Sequence, residues 1–306
     1  GDAWLHHERE SWVWIKNRFV PYPFQNNIHR LDPPDRDRAL AGIERAAAST
    51  HGQPLNFREW IAATFGEDLA DIFFYPYNRK VWGYPLDMLG VSWMGERVAV
   101  PDIERLRRNV RENRDDVSWG PNNRFRFPLH GGTGVVWRTL AARLADKHPG
   151  RLRMGRRLVR LDAASRTARF ADGAAVVYER LLSTLPLDAL VGLSDLAPAL
   201  GPVLRDLRYS STHVIGVGLH GRPGPHLEKK CWMYFPEDDC PFYRVTVFSH
   251  YSPNNVPDAA RYWSLMAEVS ESKVKPVDAR CIAAATVAGL VSTGLITGAD
   301  AVHHTW

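Results

Sequence analysis

Hydrophobic positions along the chain follow two periods, and the switches between them mark out elements. Aromatic and β-branched residues run through Trp12 to Ile15 and Arg18 to Val20 around Lys16-Asn17, which predicts a tight β-hairpin. The period then becomes helical. Asp35 to Ser49 carries Leu40, Ile43 and Ala47 on one face, and Asn56-Phe57-Arg58-Glu59 reads as an N-cap with its acidic partner three residues later. Trp60, Ile61, Thr64 and Phe65 form the buried face of the helix that follows. Gly66 is expected to stop it, and Leu69, Ile72 and Phe73 to form a short successor that ends before Pro76. Further on, His130-Gly131-Gly132-Thr133-Gly134 leads into a helix whose face is Val136, Leu140 and Leu144. The glycines fit neither a GxGxxG nor a GxxxxGKS fingerprint, so by themselves they say only that backbone passes close to a neighbour.

From Leu158 to Asp162, Thr167 to Asp172 and Ala175 to Thr184 the pattern alternates in period two around Asp172-Gly173, the signal of a β-meander. His213 to Leu219, Cys231 to Phe235, Arg244 to His250 and Tyr262 to Ser270 are further β-rich runs, expected to form a second, antiparallel sheet. An apolar-rich helix over Asp278 to Val291 closes the pattern. No internal repeat and no low-complexity tract interrupts it.

Composition narrows the class. The 306 residues are 45% hydrophobic and 24% charged, which is enough for two or three buried cores and argues against disorder. The net charge of +5 would suit a polyanion, but the arginine-dense stretches Arg105 to Arg114 and Arg151 to Arg169 are interleaved with acids. That pattern argues against nucleic acid as a partner. Cys231, Cys240 and Cys281 include no CxxC pair, against both a zinc cage and a disulfide framework, so no metal is expected and a reducing cytoplasm is. The most apolar stretch, Cys281 to Ile296, is broken by Thr286, Gly289, Ser292, Thr293 and Gly294, which reads as a buried helix rather than a membrane span. The chain opens Gly1-Asp2-Ala3-Trp4 and closes His304-Thr305-Trp306 on what reads as the start of a new element, so it is expected to be a fragment.

Candidate chemistry lies where aromatic rings stand beside amides and arginines: Tyr22 to Asn27, Pro76 to Trp82, and Trp232 to Phe235. Flat rings stack on a base, and carboxamides read its polar edge. A ring taken alone is better read as core. Arg97 and Arg244 stand among small or aromatic residues. Each guanidinium fits phosphate oxygens as a fork of donors, or else an internal ion pair with Glu96 or Glu237, and the residue types do not decide between these.

These motifs, in this order and spacing, resemble eukaryotic-type UDP-galactopyranose mutases. The residues that carry the resemblance are Val20 to Asn27, Pro76-Tyr77-Asn78, Lys80-Val81-Trp82, Gly95 to Ala99, Trp119 to Asn122, Gly131 to Gly134, Tyr209 to Gly218 and Tyr234 through Arg244. It runs from about Arg9 to Ser292. It implies a mixed α+β and α/β flavoprotein of the amine-oxidase-like fold, with a partial Rossmann-like FAD domain, a helical domain and an antiparallel sheet domain. In segments these are a sheet-domain hairpin over 1–24, a helical domain with a mobile substrate loop over 25–115 and part of the FAD domain over 116–185. The antiparallel substrate sheet then covers 186–275, and a helix returning to the FAD domain covers 276–306.

The implied reaction interconverts UDP-galactopyranose and UDP-galactofuranose through N5 of reduced FAD, with NADPH or NADH needed only to activate the flavin. Carried over by motif, Tyr22, Phe24, Gln25, Asn78 and Trp82 match the uridine pocket, and Arg97, Tyr234 and Arg244 the diphosphate clamp. Asn122 matches a position near the sugar, Arg9 and Ser11 positions near the isoalloxazine, and Leu158 one whose backbone meets the adenine. Arg97, Arg244 and Ser11 are therefore the expected catalytic set. The family's N-terminal glycine-rich FAD strand, flavin-facing His loop and C-terminal FAD segment are not among these residues, so the chain by itself is expected to bind flavin poorly. The alternatives are an amine-oxidase-like FAD oxidoreductase and a non-catalytic nucleotide-sugar-binding protein; homo-oligomerisation stays open.

Overall fold

The structure is a computed structural model that describes residues 3–50, 52–94, 98–117, 123–298 and 301–306. In chain order the strands and helices are β1 Trp4–Glu8, β2 Ser11–Ile15, β3 Arg18–Pro21, α1 Pro33–Ala48, α2 Phe57–Leu69, α3 Tyr75–Trp82, α4 Ile103–Glu112, β4 Arg124–Pro128 and α5 Gly134–Lys147. There follow β5 Leu158–Asp162, β6 Thr167–Phe170, β7 Ala175–Val177, α6 Leu187–Gly192, α7 Ala197–Leu204, β8 Ser211–His220, β9 Trp232–Tyr234, β10 Arg244–Val247, β11 Tyr262–Glu271, α8 Ile282–Ser292 and β12 Val302–Thr305. They divide into two compact units, residues 1–133 with 210–306, and residues 134–209. The segment expected over 116–185 straddles that division.

The first unit is built on a seven-stranded sheet of order β12-β8-β11-β10-β9-β2-β3. It is antiparallel except where β2 lies parallel to β9, which inserts the N-terminal hairpin beside strands some 220 residues later in the chain. The hairpin turns at Lys16 and Asn17, both with positive φ (50° and 58°), the backbone of a two-residue turn whose twist matches its strands. One sheet face buries Val217, Leu219, Met233, Phe235, Val245 and Leu265, with Leu290 of α8 in the same core. At the β2 and β3 edge, Val13, Ile15 and Val20 face the other way and join Phe24, Ile43, Ile61, Phe65, Leu69 and Phe74 in a second core. A two-stranded antiparallel ribbon, β1 with β4, packs Phe125 and Phe127 around Tyr251.

Helix α2 starts as expected, with the Asn56 side chain accepting from the Glu59 backbone N–H at 3.0 Å and Glu59 accepting from Leu55 N at 2.8 Å. Its course after Gly66 differs from the expectation. Gly66 takes φ 75° and ψ 152°, a kink rather than a stop. The helical path continues through a π turn at Ala70–Phe74 into α3, so Pro76 lies in the first turn of a helix instead of ending one. The π turn, in which Tyr75 N bonds Ala70 O, accommodates the proline's missing donor.

In the second unit β5, β6 and β7 form the expected antiparallel meander, although β7 ends at Val177 and not at Thr184. Leu161, Ala168 and Val191 are its buried apolar residues. Helix α5 forms where predicted, but Val136, Leu140 and Leu144, expected as its buried face, are exposed. Amphipathic spacing fixed the helix while leaving that face uncovered. Among the described residues no helix is long and apolar enough to cross a membrane.

Candidate functional site

Strand register assembles the site on the sheet face opposite α8. Pairing of β11, β10, β9 and β2 puts Glu268, Arg244, Tyr234 and Val13 in one row, and Met266, Thr246, Trp232 and Ser11 in the next. Residues two apart on a strand share a face, so Arg244, Tyr234, Trp232 and Ser11 lie on the same side. Arg9, between β1 and β2, brings its guanidinium carbon 5.5 Å from the Tyr22 ring centre and 5.7 Å from that of Trp232. Its backbone N donates to Asn123 O at 2.7 Å and its Nη2 to Asn123 Oδ1 at 3.3 Å.

Three tyrosines meet at the centre. Tyr234 lies 5.4 Å from Tyr22 and 5.7 Å from Tyr77, ring centre to ring centre, and Tyr77 stacks on Phe73 at 5.2 Å. Burial raises the pKa of all three. Tyr22 is pushed up to about 12, with Tyr234 adding to the effect of burial and Arg9 opposing it. Tyr234 stays raised against the pull of Arg244, Arg9 and Ser11. All three are therefore neutral hydroxyls near neutral pH, with Arg9 beside Tyr22, Arg244 beside Tyr77 and both cations acting on Tyr234, and hydroxyl donors next to guanidinium groups favour an anion.

Arg244 gives Nε and Nη2 to one oxygen of Glu268, at 3.0 and 2.5 Å. Burial works against its charge, but Glu268 outweighs it and the pKa is raised. The internal ion pair read from the sequence thus exists with Glu268, not with Glu237, because register sets Arg244 opposite Glu268. Ser11 is 8% exposed, and among the described residues its enclosed Oγ forms no well-aligned hydrogen bond while lying close enough to Tyr234 to lower its pKa.

Apart from Tyr22, the residues matched to a uridine slot come from the helical part. Gln25, 3% exposed, donates Nε2 to Ala99 O at 2.6 Å. Asn78 on α3 donates to Phe74 O at 2.8 Å. Trp82, one helical turn on, meets Trp93 edge-on at 5.0 Å, and among the described residues its enclosed indole N–H has no partner. Phe24 is fully buried, 4.5 Å from Phe73, and belongs to the helical core.

The structure thus gathers Arg9, Ser11, Tyr22, Tyr234 and Arg244. It sets Gln25, Asn78 and Trp82 on the helical part and Leu158 at the start of β5 in the second unit. Arg97 and Asn122 lie outside the described residues. Tyr77, Trp232, Tyr243 and Glu268 were not among the predicted site residues. Tyr77 and Trp232 sit inside the aromatic motifs quoted above and were findable there. Glu268 carries no local signal, since only the β10 and β11 register brings it to Arg244.

No family model matches the chain. Among solved structures it is similar to a reduced UDP-galactopyranose mutase at 45% identity over 100% of its length, with a TM-score of 0.93. It spans 65% of that chain. This bears out the resemblance drawn from the motifs. It is also similar to a fatty acid isomerase from P. acnes (10% identity, TM-score 0.59, 99% of this chain and 67% of that one). A redesigned putrescine oxidase matches at 12% identity with a TM-score of 0.56, over 99% of this chain and 68% of the other. These two share the fold alone, and the mixed α and β architecture is the one expected.

Proposed function

We infer that this chain belongs with the UDP-galactopyranose mutases, and propose that it carries the substrate-holding part of a flavoenzyme that interconverts UDP-galactopyranose and UDP-galactofuranose. The observation that carries this reading is the meeting of Arg9, Tyr22, Tyr234 and Arg244, cations and neutral phenols, on one sheet face beside Ser11.

Each residue then has a role in the chain's own chemistry. Arg244, with Arg97, neutralises the diphosphate, which lowers the cost of its departure as a leaving group. Tyr234 donates its O–H group to the diphosphate oxygens. Tyr22, Phe24, Gln25, Asn78 and Trp82 hold the uridine, in which Phe24 acts from the core by backing Tyr22 and Gln25. Asn122 serves the sugar. Ser11, an enclosed hydroxyl without a well-formed bond among the described residues, suits a polar edge of a flavin, with Arg9 beside it. In the second unit, the Leu158 backbone is assigned by the same resemblance to an adenine. The chemistry a bound reduced flavin supplies is a nucleophilic N5 for the anomeric carbon, without net redox change, so NADPH or NADH acts only as activating reductant. A cytoplasmic location and self-association complete the reading.

The test is chromatography of UDP-galactofuranose incubated with dithionite-reduced full-length protein. UDP-galactopyranose is the expected product. Tight UDP binding with no product would leave a nucleotide-sugar-binding protein instead, and oxidation of an added amine by the unreduced protein in air, with no ring expansion of the nucleotide sugar by the reduced protein, would favour the amine-oxidase-like alternative.

A further inference from the structure

Beyond the residues that touch substrate, the geometry points to Glu268 and Tyr243 as positioning residues that aim Arg244 at the diphosphate; this rests on the reading of Arg244 just given. Glu268 is 6% exposed, and a buried carboxylate stays only where every oxygen is held. Its Oε1 takes Nε and Nη2 of Arg244, at 3.0 and 2.5 Å, and its Oε2 takes the Tyr243 hydroxyl at 2.6 Å. Tyr243 N also donates to Glu268 O at 2.9 Å. The carboxylate is thus clamped from both ends.

The consequence falls on the guanidinium. With Nε and Nη2 committed, rotation of Arg244 about its long side chain is restrained, and among the described residues Nη1 makes no hydrogen bond. Arg244 is only partly exposed and stands in register beside Tyr234. A phosphate oxygen between Nη1 and the Tyr234 hydroxyl would meet two donors whose directions are set before it arrives, which is what preorganisation requires. Tyr243 faces no substrate role of its own; its hydroxyl is spent on Glu268. Burial raises its pKa to about 12, with Glu268 adding to the effect, so it remains a donor throughout the working range.

The experiment measures affinities of full-length protein for UDP and for uridine, with Tyr243→Phe, Glu268→Gln, Arg244→Ala and the double variant Tyr243→Phe/Arg244→Ala. Uridine lacks the diphosphate, so the ratio of the two affinities isolates the clamp from damage to the fold. Arg244→Ala should weaken UDP at least about tenfold and spare uridine. Tyr243→Phe and Glu268→Gln should each weaken UDP by about threefold to tenfold and also spare uridine, and the double variant should be no weaker than Arg244→Ala alone. Tyr243→Phe removes one oxygen and keeps the ring, so it supplies the result should Glu268→Gln fail to fold. If Arg244→Ala weakens UDP while Tyr243→Phe binds it as the parent does, or if the two effects add in full, the positioning role is refuted and the diphosphate reading survives. If Arg244→Ala leaves UDP affinity unchanged, the diphosphate reading falls and takes the positioning role with it.

Discussion

A single imidazole shows how the helical part is tied together. His29 Nε2 lies 3.0 Å from Asp115 Oδ1, while its enclosed Nδ1 has no partner among the described residues. Burial lowers its pKa below 6.5, against the pull of Asp115. A group with a lowered folded pKa stays neutral in the native state while the unfolded chain takes up a proton, so stability falls as pH drops below 6.5. Asp115 acts in a different window: Arg30, and after it His29, hold its carboxyl below 3.8, so its contribution is lost only in more acid solution. Urea unfolding at about pH 7.5 and pH 5.5 should show a loss of stability that shrinks in His29→Gln. An undiminished loss would assign the effect elsewhere, first to His250, which burial also lowers. Legibility at this scale followed range. Arg244 was visible as a cation among aromatic residues, but its partner was not, because a pairing set by strand register leaves no trace in neighbouring residues.

Elements set by local chemistry were the easiest to read. The Asn56 cap and the Lys16-Asn17 turn depend on residues within four positions of each other, and both formed as expected. Pro76 misled because its effect depends on the turn before it, and the π turn at 70–74 has no sequence signature. The contact of α1 with α2 allows a sharp test. A Cβ on Gly66, where φ is +75°, would lie 2.4 Å from the Gly42 carbonyl oxygen. Backbone cannot yield as a side chain can, so Gly66→Ala should cost about 2 kcal/mol or more. At Gly42 the added carbon meets first the end of the Asp68 side chain, at 2.8 Å, which can turn aside. Alanine also favours a helix interior over glycine, and Gly42→Ala should change stability by no more than about 1 kcal/mol. Chemical denaturation of both variants checks this, and equal losses would contradict it.

On the scale of the whole molecule, the first unit comes from two stretches of chain that share a sheet, with the second unit inserted between them. Arg205 and Arg208 are exposed near the junction at 209 and offer trypsin a place to cut. After such a nick the pieces on either side should separate on a denaturing gel but elute together under native conditions, because β2 and β9 still pair. Separate elution would show that the sheet does not hold the unit together. Such pairing was beyond the sequence, since period two marks a strand without naming its neighbour.

That same parallel pair sets a timetable for synthesis. A ribosome releases the hairpin early, yet Tyr22 and Arg9 have no Tyr234 to meet until more than two hundred further residues have emerged. Closing so long a loop is slow, and the hairpin's apolar edge waits unpaired in the meantime. Nascent chains arrested short of residue 232 should therefore contain folded helices and no anion site, and a chaperone that shields the waiting edge would raise the yield of competent protein.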